Sequence, residues 1–166
     1  MQYLKDLVLR LILCFVPVSF FSFVFTSITI YGSYLFLTGF FDVVVKNNIL
    51  LVNGFPFEII EACVASVAYY LLWLLIFLTK DIKTTVRTKM VVYGFLFIFL
   101  MNVFRIWLLV LIAMKYSFQW FNIVHLAFWH FLTGAFVAFD WIYLVVHYKI
   151  EGVPVYSDIN TLYNMG

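Results

Sequence analysis

Apolar residues along this chain come in long runs separated by short polar breaks. A bilayer core about 30 Å thick needs about 20 helical apolar residues to cross it. Four runs qualify, at residues 7–37, 63–78, 90–114 and 124–146. The first is over-long, so it is tilted, kinked near Pro17, or extended beyond the lipid. Between the first two runs lies "KNNILLVNGFPFEII", where Asn53-Gly54 separates two short apolar stretches. That is a hairpin signal, with Pro56 weakening the second strand. The pattern therefore predicts an all-α polytopic membrane protein, residues 1–166 forming a single domain of about four transmembrane helices. A small strand-turn-strand lid joins the first two.

The placement of Lys and Arg sets the expected orientation. "TKDIKTTVRTK" between runs two and three holds Lys80, Lys83, Arg87 and Lys89 against Asp81. Lys5 and Arg10 open the first run, and Lys149 follows the fourth. With four spans these clusters share one side, the cytoplasmic one, and the other side keeps Lys46 and Lys115. Both termini are then cytoplasmic, residues 147–166 form a polar tail, and the lid is extracytoplasmic. Dividing residues 7–45 into two spans would put Lys5 and Arg10 outside, so four fit better.

Composition supports this class. The chain is 66% hydrophobic and 11% charged, more apolar surface than a soluble domain of 166 residues can hide. A net charge of +2 with no basic face gives no sign of nucleic-acid binding. The first run is too long for a cleavable signal peptide and lacks a small-residue cleavage site. Cys14 and Cys63 fall toward opposite faces, which argues against a disulfide between them. No metal cluster, phosphate loop or nucleotide fingerprint is present, so no cofactor is expected.

On this topology three residues converge. Cys63 opens the second span and His125 the fourth, both at the outer face, while Arg105 lies nine residues before the outer end of the third. A thiolate is a nucleophile, and a nearby cation favours it over the thiol. Histidine moves protons near neutral pH, and a guanidinium offsets charge on a tetrahedral oxyanion. The set suits acyl transfer through a thioester. Asn102, one turn before Arg105, shares its face and can orient it.

Each residue also has a plainer reading. Cys63 alone is a small buried side chain, and Arg105 can snorkel or pair with Asp140. His125 can hydrogen-bond at the interface, and Glu58 and Glu61 read as solvated carboxylates. His130 competes with His125, but five residues on a helix turn the two about 140° apart. On these readings the chain is a non-enzymatic membrane scaffold with Arg105 as a helix-helix tether. Asp140 has no place in the catalytic scheme, and haem held by histidines fits poorly because His125 and His130 share one helix.

At these residues the chain resembles the archaeosortase/exosortase family. "EACVAS", "NVFRI" and "FNIVHLAFWHF" stand in the family's order on successive spans, and "GVPVYSDI" resembles the tail of its short archaeal branch, the pacearchaeosortases. The resemblance runs from about Leu7 to Ile159. It implies a membrane cysteine transpeptidase or protease that cleaves C-terminal sorting signals of surface proteins. The substrate would carry a short motif, a hydrophobic helix and a basic cluster, and a membrane phospholipid would accept the acyl group. Carried over, Cys63 is the nucleophile, Arg105 stabilises thiolate or oxyanion, and His125 is the acid/base, with His130 the alternative. Asn102 and Ser66 support them. Ala65-Ser66 stands where many exosortases have Ser-Gly. Larger members have about eight spans, so a membrane partner or a second copy would supply what four lack.

Overall fold

The computed structural model describes residues 2–116, 118–128 and 133–164. It is mostly helical, with one small antiparallel sheet. The first apolar run is two helices, α1 (Gln2–Cys14) and α2 (Val18–Leu37), so the kinked alternative holds. Pro17 causes the break, because it has no N–H to donate and its ring collides with the preceding turn. Two helices, α2 and the 32-residue α4 (Thr84–Lys115), are long and apolar enough to cross a membrane.

The other runs depart from expectation. Cys63 does not open a helix: it ends a 3-10 turn (Glu61–Cys63), and α3 (Ser66–Phe77) has only 12 residues. At ~1.5 Å per residue α3 spans about 18 Å, too little for a bilayer core by itself. The last run is divided into α5 (Phe118–Ala127) and α6 (Thr133–Tyr148). The tail is not simply polar coil but carries α7 (Tyr156–Tyr163).

The lid has three strands rather than two, in the order β1 (Val43–Lys46), β2 (Ile49–Val52), β3 (Phe55–Glu58). Both links are two-residue turns. Asn53 and Gly54 have φ of 48° and 85°, the positive pair that a type I′ turn requires. Pro56 sits opposite Leu51 on an edge strand, where a missing donor is tolerated.

Helices α2, α3, α4 and α6 pack on one another, and α5 packs on α4. One core cluster lies between them, with Phe25 stacked on Tyr69 at 3.8 Å and Phe95 edge-on to both. Helices α2 and α4 touch closely at Gly32, where a Cβ would collide with the Phe99 ring. A second cluster joins Leu37, Ile106 and Val110 to Val43, Leu50, Val52 and Ile59, so the sheet is rooted in the bundle at the end where α4 finishes. At the other end Arg10 meets Asp158 of α7 in a buried two-pronged ion pair at 2.9 and 3.0 Å. That bond raises the Arg10 guanidinium above its ordinary value against the cost of burial. These are the sheet end and the tail end.

Candidate functional site

The chain leaves β3 and descends. Asn102 Nδ2 donates to the Cys63 carbonyl at 2.8 Å, and Arg105 donates through Nη2 to the Ala62 carbonyl at 3.2 Å. Asn102 stands thirteen residues before Lys115, so the Cys63 backbone lies ~20 Å along α4 from its sheet end. Sequence spacing places Cys63 at the outer rim with Arg105 reaching up to it. The structure corrects this: the turn comes down to Asn102 and Arg105. This is possible because α3 is short and the sheet fills the space above.

The turn joins α3 through Ala65, whose φ of 60° and ψ of 29° are left-handed. A side chain in that region costs roughly 1–2 kcal/mol. Ser22 of α2 braces the junction, its Oγ lying 2.6 Å from Glu61 Oε1 and 2.8 Å from Ser66 Oγ. The carboxylate only accepts, so Ser22 gives it its one proton and Ser66 donates to Ser22. Ser66 thereby supports the turn rather than the thiol.

His125, half-buried on α5 and stacked on Phe121, lies within electrostatic reach of Arg105, as does Cys63. Thiol, cation and imidazole thus come within electrostatic reach across three elements, while His130 lies outside the described residues. Arg105 Nε, His125 Nδ1 and Asn102 Oδ1 are buried with no hydrogen-bond partner among the described residues. Buried polar groups are normally satisfied, and those that are not mark strain or a place where another molecule binds. A cavity of about 400 Å³ opens beside the turn, lined by Ser22, Glu61, Ala62, Ser66, Arg105 and Thr133 among others. Cys63 does not line it. In a 3-10 turn residues two apart point ~120° from each other, which puts Glu61 on the cavity side and Cys63 toward the sheet.

Asp140 is not the partner of Arg105. Its carboxylate packs against Gly94, eleven residues and ~16 Å along α4 from Arg105. Cys14 and Cys63 are both free thiols. Cys14 sits beside the tail-end charges, where burial pushes its thiol up. No group of three His, Cys, Asp or Glu that could hold a metal occurs among the described residues. Sequence reasoning passed over Ser22, one hydroxyl among phenylalanines; Glu61, read as a solvated carboxylate, is exposed and in addition accepts from Ser22. The only hint at Ser22 is its position in the half of α2 nearer Pro17, which no local pattern links to residue 61.

No protein-family model matches the chain, and neither a curated protein nor a solved structure matches it. The family resemblance accordingly rests on the motif residues themselves.

Proposed function

We propose that this chain is a membrane-embedded cysteine transpeptidase or protease of the archaeosortase/exosortase type. It would cross the bilayer four times, through α2, the Cys63 turn with α3, α4, and α5 with α6. Both termini would be cytoplasmic and the sheet would face outward. The observation that carries this reading is that Asn102 and Arg105, one helical turn apart, both hold the backbone of the Cys63 turn while Arg105 Nε stays unpaired. A guanidinium that is anchored yet still has a free donor suits charge that appears only during reaction.

In this mechanism the Cys63 thiolate adds to the carbonyl near the sorting motif, and Arg105 faces the oxyanion. The C–N bond breaks, and His125 gives its proton to the departing amine, releasing the hydrophobic tail helix. An O–H or N–H group, from a phospholipid headgroup or from water, then attacks the thioester. His125 takes its proton as the C–S bond breaks, and Cys63 is freed. No cofactor enters.

The test follows alkylation of Cys63 by a small neutral thiol reagent at neutral pH, with Cys14 as internal control. Arg105→Ala is expected to slow Cys63 roughly tenfold and leave Cys14 unchanged. If Cys63 is inert, or ignores Arg105, the nucleophile assignment fails. A scaffold reading is favoured by the same two bonds, since each ties α4 to the turn. It predicts that Cys63→Ala leaves surface-protein processing intact, whereas the enzyme reading predicts its loss.

A further inference from the structure

The C-terminal helix is inverted, and the N-terminal one leaves a second apolar arc outside. In α7 the residues turned toward the rest of the chain are polar: Asp158 is buried, Ser157 half-buried, and Thr161 accepts a 2.7 Å hydrogen bond from Lys80 Nζ. The residues turned outward are Tyr156, Ile159, Leu162 and Tyr163, exposed by 67%, 59%, 43% and 84%. At 100° per residue these four fall within one apolar arc, opposite the polar one. Helix α1 turns Leu13 and Cys14 into the core and buries Arg10 beside them, while Leu4, Val8, Leu11 and Ile12 look outward. Arg10 and Asp158 clamp the two helices together.

In water this construction is upside down, because it spends the polar residues on each other and exposes large apolar ones. Something apolar must cover the outer arcs. Exposed Lys5, Lys83, Lys89 and Lys149 outnumber the exposed Asp6, Asp81 and Glu151 at the same end, which suits a surface that is apolar below and anionic above. That combination is the headgroup boundary of a bilayer, where amphipathic helices lie in plane with their apolar face inward.

We propose that α1 and α7 form a membrane-interface platform at the tail end, clamped by Arg10 and Asp158, whose apolar arcs lie against the lipid leaflet. The inference rests on the membrane reading of the bundle but not on the chemistry at Cys63. It changes the expected role of the C-terminal segment: the tail is a lipid-contacting element with a polar lock behind it.

The experiment uses the full chain, with Cys14→Ser and Cys63→Ser, reconstituted in vesicles of phosphatidylcholine and phosphatidylglycerol. Ile159→Cys on the apolar arc and Asn160→Cys on the polar side are each labelled with a small fluorophore. Quenching is read with lipids spin-labelled near the headgroup, with lipids labelled deep in the acyl chain, and with aqueous iodide. The platform predicts that the Ile159 label is quenched several-fold more by the shallow lipid label than by iodide, and that Asn160 shows the reverse. Ile159 quenched by iodide as strongly as Asn160, and blind to lipid label, overturns the proposal. Shielding of Ile159 from lipid label and iodide alike overturns it too, in favour of a second copy covering the arc. If neither position nor any lipid label responds while Phe23→Cys on α2 also ignores lipid, the membrane reading itself fails. Lipid quenching at Phe23 with none at Ile159 sinks only the platform.

Discussion

Arg10 and Arg105 are equally hidden, at 2% and 5% exposure, yet they are satisfied to different degrees. Arg10 faces two carboxylates: Asp158 takes two hydrogen bonds, and Asp6, one turn earlier on α1, takes a third at 3.2 Å. Among the described residues Arg105 has one carbonyl and an Nε with nothing. A guanidinium taken out of water is costly, and only an opposed charge with good geometry offsets the cost. The tail end meets that condition and the Cys63 site does not. Complete pairing belongs to an element that holds the fold together. Incomplete pairing, beside a thiol, an imidazole and a cavity, belongs to an element that waits for something. The difference between the two arginines is a physical basis for separating structure from function within one small bundle.

The comparison breaks first at the tail end. Asp158→Ala takes two of the three hydrogen bonds from the buried Arg10 charge and leaves it the exposed Asp6 carboxylate, and is expected to cost about 3 kcal/mol, read as a large fall in thermal unfolding temperature in detergent. Arg10→Met with Asp158→Leu removes both charges and recovers most of that loss, since an apolar pair of similar size often replaces a buried ion pair at little cost. A single variant as stable as wild type would mean that the pair is solvated and that the contrast with Arg105 is empty.

At the Cys63 turn the effects are smaller and divided between stability and reactivity. Asn102→Ala leaves the Cys63 carbonyl without its donor, which costs about 1–3 kcal/mol. It is also expected to slow Cys63 alkylation by freeing the turn, whereas alkylation of Cys14 stays as it was. Ala65→Gly goes the other way. Glycine adopts the left-handed conformation freely, so the substitution relieves strain and gains up to about 1 kcal/mol in unfolding measurements. A loss on Ala65→Gly would show that the turn gains more from the Cβ than it loses in backbone strain.

Much of this architecture is legible in the chain, and the failures share a cause. Hydropathy finds α2 and α4 because each is a continuous apolar run of spanning length. It also finds Asn53-Gly54, because positive φ at two successive positions has a chemical signature. It misjudges α3, because counting apolar residues cannot show that the chain re-enters the bundle after β3 and begins its helix at Ser66, well below the rim. The same blindness placed Cys63 ~20 Å too far along α4. Strand β1 went unread because "VVVK" carries no turn signal of its own and pairs only through Asn47-Asn48. The tail helix was hidden by its inversion, since α7 turns its polar residues inward to meet Arg10 and Lys80. Of the candidate site, Cys63, Arg105, Asn102 and His125 were singled out by residue chemistry, and the structure brings them near one another. Ser22 was not singled out, because a serine in an apolar helix gives no clue to a carboxylate 39 positions away.

The finest test is the one with the least expected effect on stability. Arg105→Met removes a buried charge that has one carbonyl for a partner among the described residues. The lost bond to Ala62 costs about 1 kcal/mol, and release from the burial penalty offsets it. The unfolding temperature is therefore expected to stay close to wild type, where Arg10→Met, which takes both guanidinium hydrogen bonds from Asp158, lowers it clearly. On the proposed transpeptidase reading, processing of a surface protein is expected to disappear in Arg105→Met, and Arg105→Lys is expected to restore the charge without restoring the rate. An ammonium cannot bond Ala62 and present a second donor in the same plane. If Arg105→Met destabilises the protein as strongly as Asp158→Ala, Arg105 is a strut like Arg10. The contrast then lies in which partners each one has, and not in what each one does.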